Sequence, residues 1–82
     1  MKQIQPINIW QNGQNKQATK LNAYVISDNL KDSASFFYEL LTSENEQLAQ
    51  GNLTMTDKDY AGFNSNDYAY GWIAKQLSLT II

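Results

Sequence analysis

Asn12-Gly13, set between two stretches of alternating side-chain character, commits the start of this chain to a β-hairpin. Both residues tolerate positive φ, which the central pair of a type I′ turn requires, and that turn matches the twist of paired strands. The first arm runs from Gln3 to Trp10, and alternation puts Ile7 and Ile9 on one face with Ile4, Asn8 and Trp10 on the other. Pro6 lacks an amide hydrogen, so it suits an edge strand or a strand's beginning. The returning arm, about Lys16 to Ile26, is longer than a typical strand; Leu21, Ala23 and Val25 share one face, and Tyr24 and Ile26 take the other.

A polar connection over Ser27 to Asp32 leads into Ser33 to Leu41, the strongest strand pattern in the chain. Ala34, Phe36, Tyr38 and Leu40 line one face, with Phe37 and Leu41 on the opposite one. Apolar groups on both sides suit a central position in a sheet. Ser43-Glu44-Asn45-Glu46 makes the next turn, and Gln47 to Met55 closes a second hairpin in which Ala49, Leu53 and Met55 alternate against Leu48, Gln50, Asn52 and Thr54. Gly51 inside that strand points to a bulge or a close backbone approach.

From Thr56 the period changes. Thr56 and Asp59 have capping-box spacing in its Asp form, opening a short helical turn that Gly62 can end. A longer helix follows, capped by Asn64 or Ser65, with Asp67 in its first turn and Lys75 near its end, as the helix dipole favours. Its apolar side is Tyr68, Ala69, Trp72, Ile73 and Leu77. The expected fold is therefore α+β in one domain over residues 1–82. An N-terminal hairpin and connection occupy 1–33, a second hairpin 34–55, a helical segment 56–77 and an apolar tail 78–82. The two hairpins make a small antiparallel sheet of about four strands, packed by the C-terminal amphipathic helix. The tail is either a last strand or an arm that meets a partner.

The residue inventory narrows the function. The chain has no His, Cys or Arg. It thus lacks the commonest general base, the thiol nucleophile, the soft metal ligands and the bidentate phosphate fork. Disulfide and structural-zinc staples are absent too, so packing or oligomerisation must hold a chain of 82 residues together. Six lysines, Lys2, Lys16, Lys20, Lys31, Lys58 and Lys75, are dispersed and the formal net charge is −2, which argues against a nucleic-acid partner. Neither a signal-type apolar stretch near Met1 nor an apolar run long enough to span a bilayer occurs, so secretion by a classical signal and membrane insertion are not expected. The triplet Asn52-Leu53-Thr54 matches a glycosylation acceptor by chance in that setting.

Motif matches fail on their chemistry. Asp57, Asp59 and Gly62 occupy positions one, three and six of an EF-hand loop, but Ala61 holds position five and Tyr68 holds position twelve, where a bidentate Glu is needed. Glu44 and Glu46 sit on an exposed turn, where nothing raises a carboxyl pKa or shelters a substrate. Serine has no His to activate it, and Gly13, Gly51, Gly62 and Gly71 are isolated, so no phosphate-cradling loop forms. No catalytic residue, metal ligand, cofactor or small-molecule substrate is expected.

The segment Ala34 to Leu41, followed by Gln47-Leu48-Ala49-Gln50-Gly51-Asn52-Leu53-Thr54-Met55 and then by Asp67 to Leu77, resembles small virion proteins of tailed bacteriophages. The resemblance spans about residues 34–82: an aromatic strand, a turn, a second strand and a helix with an Asp-Tyr start. Lys without Arg, with abundant Asn, Ile and Tyr, also looks like translation from an AT-rich genome of the kind many phages have. The resemblance implies a structural role in the capsid, neck or tail, in a virion assembled in the host cytoplasm, with other virion proteins and copies of itself as partners. The candidate contact residues are Ile4 and Ile7 on the edge strand, Trp10, Phe37 and Tyr70 among the aromatics, and Leu79, Ile81 and Ile82 in the tail. The competing expectation is a small effector that binds and inhibits one host protein. Acidic inhibitors that mimic phosphate group their carboxylates, whereas here these are spread along the chain.

Overall fold

The computed structural model describes residues 1–82 as six elements. They are β1 (Lys2–Gln11), β2 (Gln14–Asp28), β3 (Ser33–Leu41), β4 (Gln47–Thr56), α1 (Asp57–Ala61) and α2 (Asn66–Gln76). The strands form one antiparallel sheet in the order β1-β2-β3-β4, with the helices on one face: a small α+β fold. Asn12 and Gly13 have φ of 52° and 79° and Gln11 pairs with Gln14, so the first turn is the two-residue form the dipeptide demands.

The core takes Ala34, Phe36 and Leu40 from β3, Met55 from β4, Ala18 and Leu21 from β2, and Ala69, Ile73 and Ala74 from α2. Phe36 is its aromatic hinge, 5.5 Å from the Phe63 ring and 6.3 Å from Trp72. Ser65 caps α2 by accepting the Tyr68 N–H at 3.2 Å. Two loops are pinned by single side chains. The Asn29 carbonyl oxygen accepts from the N–H groups of Lys31, Asp32 and Ser33, and Thr42 Oγ1 accepts from those of Glu44 and Glu46.

Four expectations need correction or completion. Ile4 does not share a face with Trp10: it is buried at 1 % exposure, whereas Trp10 is 70 % exposed. The β1–β2 register slips between Gln3 and Ile7, around Pro6, and this irregularity puts Ile4 on the same side as Ile7 and Ile9, which also pack on the core. β2 makes a matching step, since its buried residues Ala18 and Leu21 are an odd number of positions apart. In β4 the bulge lies at Leu48, between the Leu41↔Gln47 and Leu40↔Ala49 pairs, which turns Leu48 into the core. Gly51 keeps regular register and is instead the site of close approach: a Cβ there would lie 2.6 Å from the Tyr38 hydroxyl.

The capping box at Thr56 is not formed; the Thr56 side chain makes no cap bond, and the Asp59 carboxylate instead accepts from the Trp72 indole N–H at 3.0 Å. The tail docks on its own molecule. Ile81 bridges Ile4 antiparallel, the Gln5 N–H donates to the Thr80 carbonyl at 2.9 Å, and the Ile82 N–H donates to the Gln3 carbonyl at 3.0 Å.

Candidate functional site

The sheet has one face under the helices and one without them. Phe36 faces Phe63 and Trp72, so Phe37 and the residues paired in its row face away. Tyr24, Phe37 and Asn52 form one row across β2, β3 and β4, and Asn22, Glu39 and Gln50 form the next. Tyr24 and Phe37 stack with ring centroids 5.1 Å apart. The Glu39 carboxylate accepts from the Asn22 amide at 3.0 Å and from the Gln47 amide at 2.8 Å, and Gln47 also donates to Gln50. Amides and one carboxylate thus tie three strands together on a surface that is polar but carries little net charge.

A second feature arises from unequal strand lengths. β2 has fifteen residues and β1 ten, and their pairing starts at Lys2↔Leu21. From Asn22 to Asp28, β2 has no strand on its β1 side. Tyr24, Val25 and Ile26 in this overhang are 56 %, 49 % and 53 % exposed. An apolar cleft of about 290 Å³ runs beneath it, lined by Met1, Ala23, Val25, Phe36, Tyr70 and Ile73 among others. Tyr70, rising from α2, puts its hydroxyl on the open edge: it accepts the Ala23 N–H at 3.3 Å and donates to the Ala23 carbonyl at 3.2 Å.

The far end of the overhang is acidic. Asp28, Asp32 and Asp57, dispersed in sequence, line one open cleft of about 600 Å³ together with Lys31 and Tyr60. The Asp28 carboxylate accepts from the Tyr60 hydroxyl at 2.7 Å and from the Leu30 N–H at 2.7 Å. That hydrogen bond, with some burial and the charges of Asp28 and Asp32, raises the Tyr60 pKa above the usual 10.0. No group of three or more carboxylates is placed to hold a metal ion. At the near end Lys2 pairs with Asp67 at 2.6 Å and lies 6.0 Å from the centroid of the Tyr70 ring.

The eight contact residues expected from sequence do not converge on one surface. Ile4 is interior, and Ile7, Leu79 and Ile81 are half-buried against the core. Phe37 lies on the helix-free face under Tyr24, Trp10 stands at the tip of the first hairpin, and Ile82 is exposed beside β1. Tyr70 alone among them borders the β2 overhang. The overhang's own residues, Tyr24 to Asp28, are missing from that expectation. The signal for them is present in the sequence: a two-residue turn gives arms of equal length, so a longer return arm must extend past its partner. No family model, curated protein or solved structure matches the chain.

Proposed function

We propose that this chain is a structural component of a tailed-phage particle, a capsid, neck or tail accessory protein that works through protein–protein contacts. The observation that carries this reading is the unpaired stretch of β2 from Asn22 to Asp28, open main chain bordered by exposed Tyr24, Val25 and Ile26. Sheet edges of this kind bind other chains through backbone hydrogen bonds, with side chains setting specificity. The amide-rich face beside it offers a wet, weakly charged contact of the sort that tolerates changes in salt. The resemblance of residues 34–82 to small virion proteins points the same way.

One observation favours a second reading, a soluble effector that inhibits a host protein. Asp28, Asp32 and Asp57 share a single cleft, so dispersal along the chain is not dispersal in space. Quantitative peptide mass spectrometry on gradient-purified particles and on the soluble fraction of infected cells separates the two. Enrichment in particles at a defined copy number supports the structural role. Absence from particles with abundance in the lysate overturns it in favour of the effector.

A further inference from the structure

We infer that the overhang Asn22–Asp28 is a self-pairing edge, which joins antiparallel to the same segment of a second copy, with the Tyr70 hydroxyl as the group that yields to it. This rests on the reading of the chain as a contact protein and names its partner.

The first argument is main-chain chemistry. In an antiparallel ladder, a hydrogen-bonded residue gives its N–H and its carbonyl to one residue opposite. The Tyr70 hydroxyl serves both groups of Ala23, one as acceptor and one as donor. It fills the place of a neighbouring strand at one peptide and no more. The bonds of 3.3 and 3.2 Å are at the long end for a hydroxyl and are readily exchanged for a backbone partner.

The second argument is charge. The slot has Lys2 at its Leu21 end and the carboxylates of Asp28 and Asp32 at the other. A two-fold axis near Val25 lays each copy's Asp28 beside the other's Asn22, next to the other's Lys2. Opposite charges meet twice, once at each end. A parallel approach would bring like ends together.

The third argument concerns competing edges. The outer edge of β4 is also open, but its exposed side chains are Gln50, Asn52, Thr54 and Thr56. The outer edge of β1 is closed over Gln3 to Gln5 by the tail. Only the β2 overhang joins unpaired main chain to consecutive exposed apolar side chains, Tyr24, Val25 and Ile26. Ile26 is the extra residue of a bulge between the Val25↔Phe36 and Ser27↔Ser35 pairs. The bulge confines regular pairing to the stretch before it and limits growth beyond a dimer.

Sedimentation equilibrium of the full chain at low and high salt tests the inference. The wild type forms a reversible dimer that salt weakens. Tyr70→Phe keeps the ring but leaves Ala23 unfilled, so the dimer tightens by about tenfold, the worth of roughly one hydrogen bond. Ile26→Lys, at an exposed position, leaves a monomer. Monomers of both wild type and Tyr70→Phe at all accessible concentrations overturn the proposal, and so does a dimer indifferent to both changes. Should Ile26→Lys fail to fold by circular dichroism, Tyr70→Phe still decides, since a purely structural hydroxyl predicts lower stability with no gain in association. A monomeric chain that is nonetheless enriched in particles removes self-pairing and leaves the structural role standing; a dimer absent from particles does the reverse.

Discussion

The Tyr38 ring lies flat over Gly51 on the neighbouring strand, so close that a methyl group at residue 51 would meet its hydroxyl at 2.6 Å and its Cζ at 2.9 Å. Glycine usually weakens a strand, and here an aromatic ring from the paired position covers the gap. Gly51→Ala forces the ring aside and costs about 1 to 2 kcal/mol, the usual range for overpacking. The same change in a Tyr38→Ala background is neutral or stabilising, because the better strand former then has room. Urea unfolding of the four proteins of this cycle checks the coupling, and additive effects would refute it.

The C-terminal tail is part of the fold before it is part of any interface. Leu79 and Ile81 pack on the core, and Thr80 and Ile82 bond to Gln5 and Gln3. Deleting Leu79 to Ile82 therefore removes about 2 to 3 kcal/mol, from two half-buried aliphatic side chains and their backbone bonds. That is a large share of the stability of a small domain. The expected result is a variant that still folds at low temperature with a clearly lower urea midpoint. An unchanged midpoint would show the tail to be a free arm.

Thr19 sits where β2 steps from one buried parity to the other, between Ala18 and Leu21, and its hydroxyl oxygen is buried without a hydrogen-bond partner. A buried hydroxyl with no partner costs its desolvation, so an apolar residue of the same shape relieves the cost. Thr19→Val raises stability by about 1 kcal/mol. Thermal unfolding of the two proteins reads the sign, and a lower midpoint for the valine variant would mean that the hydroxyl has a partner in solution.

How much of this was legible in the sequence depends on the range of the interaction. Alternation and turn chemistry are local, and the bounds Ser33–Leu41, the Asn12-Gly13 turn and the Ser65 cap all follow from them. Alternation fails where a strand steps. Pro6 hints at the β1 irregularity, but nothing local says that it carries Ile4 to the core side, and nothing marks Leu48 as the bulged residue of β4. The contact between Tyr70 and Ala23 joins residues 47 apart, and the docking of Ile81 on Ile4 is longer still; both depend on how α2 lies on the sheet. The helical period of α2 identifies its buried side without giving that direction. The β2 overhang is the intermediate case, since comparing the two arms of the first hairpin reveals it without any knowledge of packing.

Two titrations report the ends of the β2 overhang. The Lys2 ammonium, through its hydrogen bond and then its charge, holds the Asp67 carboxyl below the usual 3.8. A depressed carboxyl pKa adds stability that is present above the unfolded value and is lost as pH falls through the folded one, so this contribution disappears in acid. Tyr60 behaves in the opposite sense. Its pKa is raised, so the stability its protonated hydroxyl contributes is whole below 10.0 and is lost as pH rises through the folded value. Lys2→Gln should return the Asp67 titration, followed by carboxyl NMR shifts, toward the ordinary range and leave Tyr60 unmoved. Asp28→Asn should lower the Tyr60 titration, read from phenolate absorbance against a Tyr60→Phe control, and leave Asp67 unmoved. If either substitution shifts both groups, the two ends are coupled through the sheet, and the separate charge at each end of the overhang is no longer a sound basis for antiparallel self-pairing.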